Sequence, residues 1–309
     1  MLDLHRLRLL REVHARGTVH AAAAALGYST SAVSQQLTVL EREVGASLLE
    51  KVGRNVRVTA AGLVLVTQAD ALLSAVEAAE AELAEVVAGR VAGVVRVAAF
   101  QSALLRVVAP AVRALADSHP GLRVEVTEAE VEQSVPAMRL QHLDVVVGDE
   151  YEDQPRPVHE DVQREVLLRE QINVVLPADH PAATGRSVAL ADLASVPWAA
   201  CQPGTGHHQM HLRVCRQLGG FEPDIRYTSD DFLILLELAR TTGSATLLPD
   251  LVRAHEAHGV AVRPMTEGSV ERQVFLLTRR SSPPTVRVVA SALHAAAQAE
   301  EGRRLRDAP

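Results

Sequence analysis

Gly17-Thr18-Val19-His20-Ala21-Ala22-Ala23-Ala24-Ala25-Leu26-Gly27-Tyr28-Ser29-Thr30-Ser31-Ala32-Val33-Ser34-Gln35-Gln36-Leu37 is the stretch that decides how this chain is organised. Thr18 stands before an alanine-rich run and predicts a helix cap there, with Gly27 as the stop. Ser29 predicts the cap of a further helix that runs to about Val44, before Gly45. Within it Val33, Leu37, Leu40 and Val44 share one face. Ser31, Gln35, Thr38 and Arg42 project from the other, with Ser34 at the edge. Solvated helix faces ordinarily carry Glu and Lys, whereas Ser, Thr and Gln suit hydrogen bonding to base edges. Two helices joined by the short Gly27-Tyr28-Ser29 turn read as a helix-turn-helix; a small helical bundle is the plainer alternative.

Leu4, Leu7, Leu10 and Val13 place an amphipathic helix just ahead of this pair. Just behind it, residues 48–58 hold a Gly53-Arg54-Asn55 turn between two β-capable pieces, which predicts a hairpin with cations near its tip. A hairpin beside a recognition helix is a wing, and Arg54 and Arg57 could there meet phosphates or the minor groove. Residues 59–88 then read as one long helix, about 45 Å at 1.5 Å per residue. Val66, Ala69, Leu73, Val76, Leu83 and Val87 follow the spacing of a coiled-coil seam, broken only by Glu80. Val66, Leu73, Val76 and Leu83 are therefore the expected contact with a second copy, packing against the chain's own body being the alternative.

Composition frames this head. The chain has 309 residues, 48% apolar and 22% charged, which is the balance of a globular protein of two or three domains. Aromatics at 3% are too few for a stacking platform on single strands. Two cysteines make no disulfide scaffold. No apolar run is long enough to span a membrane, and Arg6, Arg8 and Arg11 interrupt the only place for a signal peptide, so a cytoplasmic protein with no membrane partner is expected. The net charge of −7 hides an asymmetry: residues 1–58 carry eight Arg/Lys against five acids, so the remainder is strongly acidic. A basic head on an acidic body points to a local polyanion contact.

From residue 94 the pattern changes. Strand-like pieces at residues 94–100, 122–127 and 144–147 alternate with helix-like pieces at 103–118 and 132–142, which predicts an α/β domain with a mostly parallel sheet. A second run of this kind begins near Val162 and includes residues 172–176, 193–200, 207–218 and 225–228. Two such lobes linked by crossing strands enclose a cleft at strand ends. No Gly-rich nucleotide fingerprint or phosphate-loop Lys motif occurs, and no cofactor is expected.

These residues together resemble the LysR-type transcriptional regulators over nearly the whole chain. Residues 17–26 are similar to that family's second helix and residues 29–37 to its recognition helix; Leu40-Glu41, Gly45, Leu48, Arg54, Arg57, Thr59, Ala61 and Gly62 continue the signature. His119-Pro120-Gly121, Leu143-Asp144, His180-Pro181, Asp192-Leu193, Pro197-Trp198 and Leu247-Leu248-Pro249 are similar to landmarks of its effector-binding domain. The resemblance implies a winged helix-turn-helix at 1–58 and a dimerising linker helix at 59–89. It also implies a two-lobed, periplasmic-binding-protein-like effector domain, with lobe I at 90–161 and 269–303, lobe II at 162–268 and a tail at 304–309. The implied partners are double-stranded operator DNA, read by Thr30, Ser31, Ser34, Gln35, Thr38, Arg54 and Arg57, a small-molecule effector, and the protein itself as dimer or tetramer. RNA polymerase is a further one. The chain departs from the family at Thr30-Ser31, where Gln-Pro is common, and at Gln35, where Arg is. Arg reads guanine and Gln prefers adenine, so the half-site is expected to differ. The late glycine pair is only half kept at Gly243-Ser244-Ala245.

The effector is expected at the loops that follow the strands: Phe100-Gln101-Ser102, Gly148-Asp149-Glu150, Gln202-Pro203-Gly204-Thr205-Gly206 and Ser229-Asp230. Ser102, Gln202 and Thr205 offer hydrogen bonds, the Gly204 and Gly206 amides suit an anion, and the nearby acids suit an amine. His207, His208 and His211 could chelate a metal, though no Cys or carboxylate close in sequence completes a site. Cys201 and Cys215 could form a redox pair. Asp149, Glu150, Asp230 and Asp231 could serve an α/β enzyme as acids or bases, but no triad spacing accompanies them.

Overall fold

The helices of the head begin and end where a side chain or a glycine takes up their free backbone groups. The computed structural model describes residues 2–52, 55–88, 91–139, 142–152, 154–156, 162–280 and 282–307. Helix α1 (Leu4–Arg16) is capped by Asp3, whose carboxylate accepts the His5 and Arg6 amides. Thr18 caps α2 (Val19–Leu26) through the Ala21 amide, and Ser29 caps α3 (Thr30–Val44) through the Ala32 amide. Gly27 and Gly45 close α2 and α3 in the left-handed conformation, at φ 72° and 74°. Each oxygen cap is worth about 1 kcal/mol. Leu7, Leu10, Val13, Ala22, Val33, Leu37 and Leu40 form one buried cluster, as the helical spacing predicts.

The Glu41 carboxylate accepts the amides of Leu48 and Leu49 at 2.8 and 3.1 Å, so the end of α3 is tied to the start of the hairpin. Strands β1 (Leu49–Val52) and β2 (Asn55–Val58) pair antiparallel. Helix α4 (Ala60–Ala88) follows. Its first turns are part of the head, because Val66 and Ala69 lie inside the same cluster. Here the expected seam needs correction: Val66 and Leu73 are both 3% exposed within a single chain and have no surface to offer a second copy. At 100° per residue the outward stripe is Leu72, Val76, Ala79 and Leu83, of which Leu72 and Leu83 are exposed and Val76 is half-buried.

The chain divides into two units, residues 1–91 with 139–142 and residues 92–138 with 143–309. The second is built on a nine-stranded sheet: β3 (Gly93–Ala99), β4 (Leu122–Glu128), β5 (Val145–Tyr151), β6 (Val162–Pro177), β7 (Pro197–Ala200), β8 (Asp224–Thr228), β9 (Ala245–Pro249), β10 (Val260–Arg263) and β11 (Val270–Arg279). Its order is β4-β3-β5-β11-β6-β9-β7-β8, with β10 beside β6. The pairs at the two ends are parallel, as expected. The centre is not: β11 runs antiparallel to both β5 and β6, and β6 to β9 and β10, so the sheet is mixed. The helices are α5 (Gln101–Ala103), continued by a π turn into α6 (Ala109–Ser118), then α7 (Val131–Arg139), α8 (Gly206–Arg213), α9 (Phe232–Thr242) and α10 (Pro284–Asp307). The tail expected from 304 is helical as far as Asp307, and Arg304 is bound to Asp250 at 2.6 Å.

One glycine of the head is required by close approach. A Cβ on Gly62 would sit inside the van der Waals shell of the Leu48 carbonyl oxygen and 2.6 Å from Val58 Cγ1, where α4 crosses the hairpin. Helix propensity alone would make Ala better here by about 1 kcal/mol. Overpacking against backbone costs about 1–3 kcal/mol and reverses the sign. Gly62→Ala is therefore expected to lower the melting temperature of the head; a raised one would mean that α4 can lift away freely.

Candidate nucleic-acid interface and ligand cleft

Burial of Val33, Leu37 and Leu40 leaves the opposite face of α3 to solvent, and Thr30, Ser31, Ser34, Gln35 and Thr38 are all exposed on it. Some of these groups are engaged locally: Thr38 donates to the Ser34 carbonyl at 3.0 Å, the Ser31 and Ser29 hydroxyls lie 3.1 Å apart, and Thr30 Oγ1 is 3.3 Å from His20 Nδ1. Gln35 has no intramolecular hydrogen bond among the described residues, which leaves its amide free to pair with a base edge. Arg57 is exposed and bridges to Glu50 across the hairpin at 2.6 Å, a surface pair worth at most about 1 kcal/mol that a phosphate can displace. Arg54 lies outside the described residues. Tyr28, half-exposed in the turn, was not among the expected contacts; its ring meets His5 edge-on.

In the second unit a cleft opens where strands end. Phe100 and Gln101 follow β3, Glu130 follows β4, Asp149 and Arg156 belong to the β5 end, Cys201, Thr205, Gly206 and His207 follow β7, and Asp230 and Phe232 follow β8. Arg272, on β11, completes the lining. The non-atom space among these residues is ≈ 410 Å³, a figure that includes open solvent. Arg272 is 1% exposed and stands directly opposite Glu170 in the β11–β6 register. Its Nε and Nη2 donate to Glu170 at 2.9 and 2.7 Å, Nη1 to Asp149 at 3.2 Å and Nη2 to Ser102 at 2.9 Å. The guanidinium also lies over the Phe100 ring, 4.7 Å from its centre. Burial opposes its charge, but Glu170, Tyr151 and Asp149 together hold it more firmly protonated than a free arginine. Burial pushes the Glu170 carboxyl up, offset by Arg272 and the Leu251 amide at 2.7 Å.

Of the loop residues expected around an effector, Phe100, Gln101, Asp149, Thr205, Gly206 and Asp230 do line this cleft. Ser102, Glu150, Gln202, Gly204 and Ser229 do not. Ser102 is buried and its hydroxyl is taken by Arg272; Glu150 is paired with Arg164 and accepts the Arg156 amide. Gln202 and Gly204 are exposed, and Ser229 accepts the Asp231 amide. Thr205 is the cap of α8: it accepts the His208 amide and donates to the Gln202 carbonyl, so its hydroxyl is already engaged. Glu130, Arg156, Phe232 and Arg272 were missed, while Cys201 and His207 had been singled out only as redox and metal candidates. Arg272 had a signal, since it sits in phase with apolar Val270, Val274 and Leu276 on its strand.

The metal and redox readings find little support. No group of three or more His, Cys, Asp or Glu among the described residues is arranged to hold a metal. His207 and His211 are buried and held neutral, His211 down to about 3 by burial, while His208 Nδ1 lies 2.7 Å from the Cys201 carbonyl oxygen. Cys201 and Cys215 are free, buried and in separate core clusters. Burial pushes both thiols up, Cys215 to about 12, so neither is an activated thiolate. No helix among the described residues is long and apolar enough to cross a membrane.

Comparison with known proteins assigns both parts of the chain to one family. Residues 4–63 match the signature of the bacterial regulatory helix-turn-helix proteins of the lysR family, and residues 88–298 match the LysR substrate binding domain. The chain belongs to the LysR family of transcriptional regulators. It is 24% identical over 278 residues to the transcriptional dual regulator GltC of Bacillus subtilis, covering 89% of this chain and 90% of that one. Full-length OxyR from Pseudomonas aeruginosa has the same fold, with a TM-score of 0.73 at 20% identity, covering 96% of this chain and 95% of that one. So does full-length CbnR in complex with its target DNA, with a TM-score of 0.63 at 21% identity over 96% and 100% of the two chains. This LysR-type regulator thus combines a DNA-binding head with an effector-binding domain, and operator DNA and a small molecule are its partners.

The buried cation gives this subsection its test. Arg272→Met removes the cation bonded to buried Glu170 and is expected to cost about 3–5 kcal/mol, read by urea unfolding of the protein. Adding Glu170→Met should recover most of that loss. A single variant as stable as the parent would show that water reaches Glu170.

Proposed function

We propose that Thr30, Ser31, Ser34, Gln35 and Thr38 read operator bases, with Arg54 and Arg57 holding the wing on the phosphates or in the minor groove. The observation that carries this reading is the exposed face of a capped α3, uncharged and polar from Thr30 to Thr38, whose other face is the core of the head. A charged face would bind any duplex, whereas amides and hydroxyls discriminate between base pairs. The head reads a half-site, and a second copy joined along Leu72, Val76, Ala79 and Leu83 of α4 supplies the other. The protein acts in the cytoplasm, where its operator is, and is a regulator rather than an enzyme: of the four acids that an enzyme could use, Asp149 and Glu150 are tied to arginines, Asp231 caps α9 and Asp230 accepts the Gln202 amide.

The effector occupies the cleft lined by Phe100, Gln101, Glu130, Asp149, His207 and Arg272. It alters operator binding to the extent that it favours one arrangement of the dimer over another. The test is a binding series on single-base variants of the promoter-proximal operator. Gln35→Ala should lose about 1–3 kcal/mol of discrimination at one base pair and leave affinity for unrelated duplex unchanged. An unaltered preference at every position would remove α3 from the reading role.

A further inference from the structure

Among the described residues, both arginines that line the cleft already have their anions. Arg272 is held by Glu170 and Asp149. Arg156 donates to Glu132 at 2.7 Å, to the Asp149 carbonyl at 2.5 Å and to the Asp149 carboxylate at 3.4 Å. Two carboxylates of the lining are not so provided. Among the described residues Asp230 accepts only the Gln202 amide, at 2.9 Å, and the Glu130 carboxylate has no hydrogen bond or ion pair. A third group is also unspent. His207 is 6% exposed and lines the cleft, and neither ring nitrogen has a well-formed hydrogen bond, although the backbone of Leu247 lies beside it.

Resting on the reading of this cleft as the effector site, we propose that it takes a small molecule carrying a primary ammonium group, with Glu130 and Asp230 as its counter-charges and an unpartnered ring nitrogen of His207 as a further acceptor. The chemistry of the lining decides the sign. An anion would meet two unpaired carboxylates and only arginines already engaged, whereas an ammonium supplies the missing positive charge and three donors. A neutral imidazole can accept one of those donors, and His207 is kept neutral by its burial, by His211 and by Arg272.

Binding of this kind is coupled to a proton. Burial, with the nearby charges of Asp149 and Glu132, raises the Glu130 carboxyl to about 7, against the opposing pull of Arg272 and Arg156. Cys201, His207 and Asp230 line the same space; burial holds Cys201 as a neutral thiol and His207 as a neutral imidazole. A bound ammonium favours the ionised form of Glu130, so binding expels its proton, and affinity rises with pH through neutrality and levels off above it.

The experiment uses the full-length protein and three probes with the same four-carbon chain: n-butylammonium, 1-butanol and butyrate. Binding at millimolar concentration is followed by ligand-observed NMR and calorimetry. Only n-butylammonium is expected to bind, with Kd falling roughly tenfold between about pH 6 and about pH 8, a range in which the amine stays protonated. Glu130→Gln should weaken it about tenfold and flatten the pH dependence, and Asp230→Asn should weaken it about tenfold with the pH dependence kept. Thermal unfolding of each variant confirms that the domain remains folded. Preferential binding of butyrate, absence of amine binding, or amine binding indifferent to both substitutions overturns the proposal. Operator binding by the same preparation is measured in parallel: its persistence when no amine binds means that the ligand class is wrong, and its loss means that the regulator reading is.

Discussion

A guanidinium sealed from water must have its charge answered within the fold, and Arg272 has it answered from several directions at once. Glu170 faces it across the β11–β6 pair, Asp149 reaches it from β5, and Ser102 and the Phe100 ring meet it from beyond the end of β3. Glu170 in turn holds the Leu251 amide just past β9. Each ion costs several kcal/mol to dehydrate, so the cluster is tolerable only complete, and its geometry is correspondingly determined. Completeness has a further effect. Because Arg272 is spent on Glu170 and Asp149, it leaves no free positive charge for the cleft it lines, and the carboxylates of Glu130 and Asp230 dominate what a ligand meets.

The head follows a different logic, since its contacts are made by capping and packing rather than by ions. Asp3, Thr18 and Ser29 satisfy helix starts, Gly27 and Gly45 permit their ends, and the Glu41 carboxylate carries the chain from α3 into the hairpin. Fixing α3 by its apolar face is what allows the other face to stay polar, and uncharged from Thr30 to Thr38. Specific recognition needs such a face to be rigid before the duplex arrives, so that little ordering entropy is lost on binding.

The contrast explains what the sequence disclosed. Caps and stops are local, and Thr18, Ser29, Gly27 and Gly45 could be read from neighbours one to four residues away. The linker seam was misread in part because 3-4 spacing marks a buried stripe without saying what buries it: Val66 is covered by the chain's own head, and Leu73 is buried within one copy as well. The cleft was half legible. Loops after strands located Phe100, Gln101, Asp149, Thr205, Gly206 and Asp230, but Arg272 and Glu170 lie about a hundred residues apart and meet only through the antiparallel centre of the sheet, which alternation of strands and helices did not foretell. Both do stand in phase with apolar neighbours, Glu170 between Leu168 and Ile172 and Arg272 between Val270 and Val274. A charge in the buried register of a strand is the signal that was there to be used.

That Glu130 is a buried acid with no committed counter-charge can be tested without any ligand. Carbon-detected NMR of the glutamate side-chain carboxyls, across the acidic to neutral range, follows Glu130 directly. The account predicts that it titrates near pH 7, far from an exposed glutamate, because burial and Asp149 oppose its charge while Arg272 and Arg156 are committed elsewhere. A midpoint near the ordinary value of about 4.3 would contradict it, since Glu130 would then be solvated or paired and the cleft would hold no uncompensated acid.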